Sequence, residues 1–284
     1  MLINHKRISE IGLCIMPKQR SLQIFILIIF SLTSAFTYSH AQSKQKGWKL
    51  IWQDNFLKDG IPNPNNWSFT GRGRSAWKCD CFDSTTIAIV KHGELFLSGI
   101  VADDTSDTAA YHTGCISTKG KFFFKYGKLI VRAKLPQAQG SWPAIWLLPE
   151  TNAHGGWPQG GEIDVMEHLN FDSIVYQTIH SYYIDKLGHQ NDPKHYTTAP
   201  FKPGKFNTFG MEWYPDRIDL FVNGKKIFSY PKIANDTTGT QWPFDQPFYI
   251  LLDQALGGWP GKIDSKDLPA TMEVDWVRVY KREQ

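Results

Sequence analysis

Apolar residues along this chain recur with a period of two. The clearest run is Lys128–Leu135, where Leu129, Val131, Ala133 and Leu135 alternate with Lys128, Ile130, Arg132 and Lys134. Such alternation puts one set on a buried face and the other on a more polar face of a strand. Similar short runs lie at Lys49–Phe56, Thr85–Lys91, Glu94–Ile100, Cys115–Lys125, Glu162–His168, Ile174–Tyr183, Phe206–Trp213, Arg217–Val222, Lys225–Tyr230, Phe248–Gln254 and Met272–Lys281. Gly, Pro, Asn and Asp punctuate them. Asn223-Gly224 predicts a two-residue hairpin, because both residues tolerate positive φ. Tyr126-Gly127 predicts a less distinct one. Helical periodicity is nearly absent, and no β–α alternation or internal repeat occurs. About a dozen strands with tight turns predict an all-β fold, a two-sheet β-sandwich of jelly-roll type.

The N-terminal segment breaks this pattern. Residues 22–30 are continuously apolar apart from Gln23, with Lys18 and Arg20 before them and Ser39-His40-Ala41 after. Basic residues, an apolar run and a small-x-small site, in that order, mark a secretory signal. Cleavage is expected between Ala41 and Gln42, with Met16 a natural start for such a signal. Residues 1–41 are then outside the mature fold, and residues 42–284 form one domain. The expected location is secreted, periplasmic or cell-surface, with no stable membrane span after cleavage. Cys79, Cys81 and Cys115 remain, and an oxidising compartment suggests a disulfide between Cys115 and one of the other two.

Charge narrows the partners. The full chain carries a net charge of +4, and residues 1–41 account for +3 of it (Lys6, Arg7, Lys18 and Arg20 against Glu10). A nearly neutral domain is a poor match for nucleic acid. Aromatic residues reach 14%, including 11 Trp, which points either to a large β core or to flat platforms for a ring-shaped ligand.

The densest chemistry is Gly160-Gly161-Glu162-Ile163-Asp164-Val165-Met166-Glu167-His168. On a regular strand Glu162 and Asp164 share a face and Glu167 points to the other. One extra residue, a β-bulge at Val165-Met166, returns Glu167 to their side. Three crowded carboxylates fit a solvated strand face, a Ca²⁺ site, or the acid pair of a glycosidase. In a retaining glycosidase the two carboxyl groups lie about 5–5.5 Å apart. Glu162 and Glu167 are four strand steps apart once the bulge is counted, and long side chains leaning together are compatible with that separation. Asp164 between them perturbs both pKa values, so that one carboxyl ionises while the other keeps its proton.

The Glu-Ile-Asp-x-x-Glu pattern resembles the signature of glycoside hydrolase family 16. Trp52-Gln53-Asp54-Asn55-Phe56, Gly140–Pro149, Trp242-Pro243-Phe244-Asp245 and Asp275–Tyr280 resemble its opening strand, the strand before the catalytic one and its closing segments. The likeness extends over nearly all of residues 42–284. It implies a jelly roll with a cleft across its concave sheet, and endo-acting hydrolysis of a polysaccharide or oligosaccharide with retention. It also implies Glu162 as nucleophile, Asp164 as assisting carboxylate and Glu167 as acid/base. Asp253-Gln254-Ala255-Leu256-Gly257-Gly258 departs from the Asn-Leu-Ala-Val-Gly-Gly of many β-1,3-glucanases, and Val175–Tyr183 is unusually aromatic. Laminarinase-like and endo-β-galactosidase-like specificities both stay open.

Further site candidates follow. Trp142, Trp146 and Trp157 offer apolar platforms for sugar rings, whereas Trp52 and Trp276 read as packing residues. His168, His180, Arg132 and Gln254 are candidates to bind sugar or pair with a carboxylate. No cofactor is required for this chemistry. A structural calcium at Asp275 is the one metal expectation, as in some family members. Two alternatives use the same residues: a non-catalytic carbohydrate-binding jelly roll, and a transglycosylase.

Overall fold

The computed structural model describes residues 46–70, 73–74, 80–81, 86–102, 109–236 and 238–283, with backbone only at 73–74 and 80–81. The expected signal segment, Cys79 and the Cys81 side chain lie outside the described residues, and the expected disulfide lies outside them too.

In chain order the elements are β1 (Trp48–Asp54), β2 (Ser68–Phe69), β3 (Gly73–Arg74), β4 (Asp80–Cys81), β5 (Ala88–Lys91), β6 (Glu94–Val101), β7 (Tyr111–Thr113), β8 (Cys115–Ser117), β9 (Phe123–Phe124), β10 (Gly127–Lys134), β11 (Ser141–Pro149), β12 (Glu162–Glu167) and β13 (Ile174–His180). A one-turn helix, α1 (Tyr182–Asp185), follows. Then come β14 (Tyr196–Pro200), β15 (Asn207–Trp213), β16 (Arg217–Val222), β17 (Lys225–Pro231), β18 (Phe248–Leu256) and β19 (Ala270–Arg282). They form two sheets. The eight-stranded sheet runs β14-β13-β12-β11-β18-β8-β2, with β9 also on β18. The eleven-stranded sheet runs β17-β16-β15-β10-β19-β6-β7-β4-β3, with β1 on β19 and β5 on β6. Among the described residues every pairing is antiparallel except β4 with β7. No described helix is long and apolar enough to cross a membrane.

The core lies between the sheets. Ile145, Leu147, Ile163, Val165, Ile250 and Leu252 of the smaller sheet share one continuous buried cluster with Leu129, Val131, Phe209, Met211, Val277 and Val279 of the larger. Each such aliphatic side chain contributes roughly 1.5–3 kcal/mol by leaving water. The alternation read at Lys128–Leu135 is the pattern seen, with Leu129, Val131 and Ala133 fully buried. Asn223 and Gly224 take φ of 51° and 75° in the β16–β17 hairpin, as expected.

Three expectations change. Tyr126-Gly127 is not a hairpin: β9 pairs with β18, whereas β10 pairs with β15 and β19, so the turn passes the chain between sheets. Gly127 has φ 148°, and a Cβ there would meet the Tyr280 carbonyl at 2.5 Å. The run Cys115–Lys125 is split into β8 and β9, both on β18. Thr118 bridges the break by accepting from Ile250 N and donating to the Phe122 carbonyl. The run Ile174–Tyr183 stops at His180, where Asp185 draws the chain into α1 by accepting from Ser181 N.

Candidate active site

The bulge anticipated in β12 is present. Across β11, Trp146 faces Asp164 and Ile145 faces Met166, which leaves Val165 without a counterpart. Across β13, Asp164 faces Thr178 and Glu167 faces Tyr176, so Val165 and Met166 together oppose Gln177. Two residues against one is the signature of a bulge. Both bulge residues and Ile163 enter the core. Glu162, Asp164 and Glu167 therefore emerge together on the other face of the sheet, in a cleft of about 310 Å³ lined also by Trp142, Ala144, Trp146, Leu148, Trp157 and Asp253.

Each of three acids in this cleft receives one indole N–H. Trp157 Nε1 donates to Glu162 Oε2 at 2.7 Å, and Trp142 Nε1 donates to Glu167 Oε1 at 3.0 Å. Trp146 Nε1 donates to Asp253 Oδ1 at 2.6 Å. All three tryptophans thus present their apolar bodies to the cleft while their polar edges orient carboxylates. Charge-assisted bonds of this kind are stronger than neutral ones. Trp157 stands in a loop and remains 57% exposed, so its ring is open to a ligand.

Burial shapes the proton affinities. It pushes Glu162 well above the usual carboxylate range, helped by the charge of Asp164. It raises Asp164 to about 6, with Glu167 adding repulsion. Glu167 is raised to about 7 by burial, against the pull of the Trp142 N–H. Burial alone would disfavour a charged His180, but hydrogen bonding to Asp164 and Asp185 overcomes it and lifts the imidazole to about 11. Glu162, Asp164 and His180 bring one ligand atom each within 4.8 Å of one another. An imidazole needs a lone pair to bind a metal, and here both ring nitrogens face carboxylates. The trio is a cluster of two acids and an imidazole whose Nε2 lies 3.3 Å from Asp164 Oδ2.

The sequence profile of glycosyl hydrolases family 16 matches residues 83–278. This chain belongs to glycosyl hydrolases family 16. It is 41% identical over 236 residues to the keratan-sulfate endo-1,4-beta-galactosidase of Sphingobacterium multivorum, covering 82% of this chain and 55% of that protein. It is 30% identical over 285 residues to the beta-glucanase of Rhodothermus marinus, covering 95% of this chain and 99% of that one. The chain thus spans about half the length of the first relative and nearly all of the second. The X-ray structure of the laminarinase from Rhodothermus marinus superimposes with a TM-score of 0.74 at 30% identity, over 84% of this chain and 98% of that one. The family 16 jelly roll follows from this membership.

Within this family 16 chain, the remaining candidates divide. His180 reaches the cluster, its Nε2 lying 3.3 Å from Asp164 Oδ2. Four others do not line the cleft. Arg132 projects from β10 in the opposite sheet, where it pairs with Asp275 and lies over the Phe206 ring at 4.4 Å. The Asp275 carboxylate thus meets a guanidinium, and a position beside that cation does not fit a calcium ion. His168 is fully buried beside the acid/base candidate but on the other face, with Nε2 2.8 Å from the Asp172 carbonyl and its ring edge-on to Phe201. Gln254 is fully buried on the core side of β18 and donates to Ser141 Oγ at 2.9 Å. Its neighbour Asp253 is the cleft residue. Two residues without a sequence assignment also stand here: Tyr176, which faces Glu167 across the register, and Trp259, half exposed and edge-on to Trp142 at 6.0 Å. A local signal existed for Trp259: Gly-Gly-Trp-Pro occurs twice, at 155–158 and 257–260, and both copies form loops beside the cleft.

Proposed function

We propose that this family 16 enzyme hydrolyses internal β-galactosidic bonds of keratan-type glycans by a two-step, retaining mechanism. The convergence of Glu162, Asp164 and Glu167 on one face, each outer acid tethered by an indole, carries this reading. In the first step Glu162 attacks the anomeric carbon and the bond to the leaving oxygen breaks as Glu167 gives that oxygen its proton. In the second, the ionised Glu167 takes a proton from water, whose oxygen displaces Glu162 and releases the sugar. Proton and nucleophile both come from side chains of the cleft. Asp164 raises the proton affinity of Glu162 and faces His180 at 3.3 Å.

The galactosidic preference rests on the likeness to the keratan-sulfate endo-1,4-beta-galactosidase and on the aspartate and glutamine at 253 and 254 where many β-1,3-glucanases carry Asn-Leu. A second reading, cleavage of β-1,3- or mixed-linkage glucan, is favoured by the end-to-end match with the beta-glucanase. The deciding experiment is product analysis on keratan sulfate, mucin O-glycans, agarose, laminarin and mixed-linkage glucan. Oligosaccharides released from keratan sulfate, with laminarin left intact, support the first reading. The reverse overturns it. Export is part of the proposal, with residues 1–41 as the signal: the mature protein begins at or near Gln42, and a soluble enzyme still carrying residues 16–41 contradicts it.

A further inference from the structure

His180 occupies the cleft-side position of β13 directly across from Glu162. Each of its ring nitrogens faces a carboxylate. Nε2 lies 3.3 Å from Asp164 Oδ2, and Nδ1 lies 2.9 Å from Asp185 Oδ1. A neutral imidazole has one N–H and one lone pair, so it satisfies a single carboxylate and repels the other. Two ionised carboxylates at these distances favour a proton on both nitrogens. Asp185 is itself held from behind, because its second oxygen accepts from the backbone N–H of Ser181 at 3.1 Å. The strand's end, the one-turn helix and this backbone bond together aim one carboxylate oxygen at the ring.

We propose that Asp185 is a positioning residue that locks His180 as an imidazolium and thereby fixes a positive charge against Asp164 and Glu162. The proposal rests on the reading of Glu162 as nucleophile and says how that group becomes an anion. Burial favours protons on all three acids of the cleft. A permanent cation beside two of them lets that end of the cluster carry negative charge and leaves the proton to Glu167. The other groups around His180 do not supply this charge. Glu162 and Asp164 on β12 are acids. The Trp157 indole, 6.2 Å away, is neutral. His195, 6.3 Å away in the segment before β14, is held toward its neutral form by burial and by His180. Lys194 next to it places its ammonium over the Tyr196 ring at 4.9 Å.

Two measurements test the lock. In the first, the full chain is labelled with ¹⁵N-histidine, and the His180 signal is identified by its loss in His180→Gln. Both His180 nitrogens are expected to carry protons from pH 5 to pH 9. A neutral tautomer at pH 7 overturns the proposal, whatever happens to activity. In the second, kcat and KM of Asp185→Asn are followed against pH on keratan sulfate and laminarin. Without the lock His180 titrates, Glu162 holds its proton more tightly, and the acidic limb of kcat/KM moves up by about one pH unit, the scale of an opposite charge lost at this range. Turnover at pH 5 falls about tenfold, KM changes little, and Asp185→Glu restores part of the profile. A superimposable profile overturns the proposal. If Asp185→Asn does not fold, the wild-type spectrum decides alone. Full activity in Glu162→Ala would remove the nucleophile reading while leaving the spectrum of His180 as described, so the two failures are distinguishable.

Discussion

Gln177 donates its side-chain N–H to the backbone carbonyl of Val165 at 2.8 Å, from the residue that lies opposite the bulge. The bulge takes this carbonyl out of the regular ladder, and the fully buried amide of Gln177 meets it. The three acids converge only while the bulge persists, so a core-side glutamine underwrites the geometry of the cleft. Gln177→Leu keeps the volume and strands the carbonyl. A buried unsatisfied acceptor costs about 1–3 kcal/mol. Urea denaturation should register that loss, and kcat should fall more than KM rises, because Glu167 is the group displaced. Unchanged stability and turnover would show that the bulge holds without Gln177.

The two indole donors act on opposite limbs of the pH profile. Glu162 must be ionised and Glu167 protonated in the first step, giving a bell whose apparent values belong to the coupled cluster. The indole of Trp142 lowers the proton affinity of Glu167, and that of Trp157 lowers the affinity of Glu162. Trp142→Phe should therefore move the alkaline limb to higher pH. Trp157→Phe should move the acidic limb to higher pH. Each shift is expected to be on the order of half a unit to one unit. kcat/KM profiles of the two variants check this. Movement of the same limb in both variants would contradict the separate roles.

Glu167 also links stability to pH. Its folded-state pKa is raised to about 7, against roughly 4.3 for an unfolded glutamate. Below the unfolded value both states are protonated and the group costs nothing. Between the two values the unfolded chain ionises while the buried carboxyl keeps its proton, so stability falls as pH rises and the loss is complete above the folded value. Glu167→Gln is neutral throughout and escapes this loss. Its stability should match wild type near pH 4 and exceed it by a few kcal/mol, in order of magnitude, at pH 8. Denaturant midpoints at the two pH values check the sign. A variant less stable than wild type at pH 8 would contradict it.

Legibility in the sequence followed burial on one face or two. Strands buried on one side, such as Gly127–Lys134, announce themselves by alternation. Ser141–Pro149 is covered on both sides, Ile145 and Leu147 by the core and Ala144 and Trp146 by the cleft. It lacks a period and was recognisable only by family likeness. The acid cluster was legible because three carboxylates in six residues demand an explanation, and the bulge is the simplest way to reconcile them. Asp253 and Gln254 show the opposite case. Every residue of Phe248–Leu256 is buried, so composition does not reveal which parity faces the cleft, and a one-residue error exchanges the two. Tyr176 was hidden because its relation to Glu167 exists only in the register between strands. Arg132 stood out as a lone charge on a polar strand face and Asp275 through the family likeness, and their mutual pairing between neighbouring strands of the other sheet is a tertiary fact.

The central claim assigns nucleophile and acid/base to Glu162 and Glu167, and azide rescue of the two alanine variants tests it most directly. With an activated aryl β-glycoside substrate, Glu162→Ala leaves a gap beneath the anomeric carbon, and azide entering it should give the α-glycosyl azide. Glu167→Ala still forms the glycosyl-enzyme, and azide attacking from the opposite face should give the β-glycosyl azide. That pairing of variant and anomer, read by proton NMR, is the predicted result. The reversed pairing, or near-wild-type turnover in Glu162→Ala, would contradict the account.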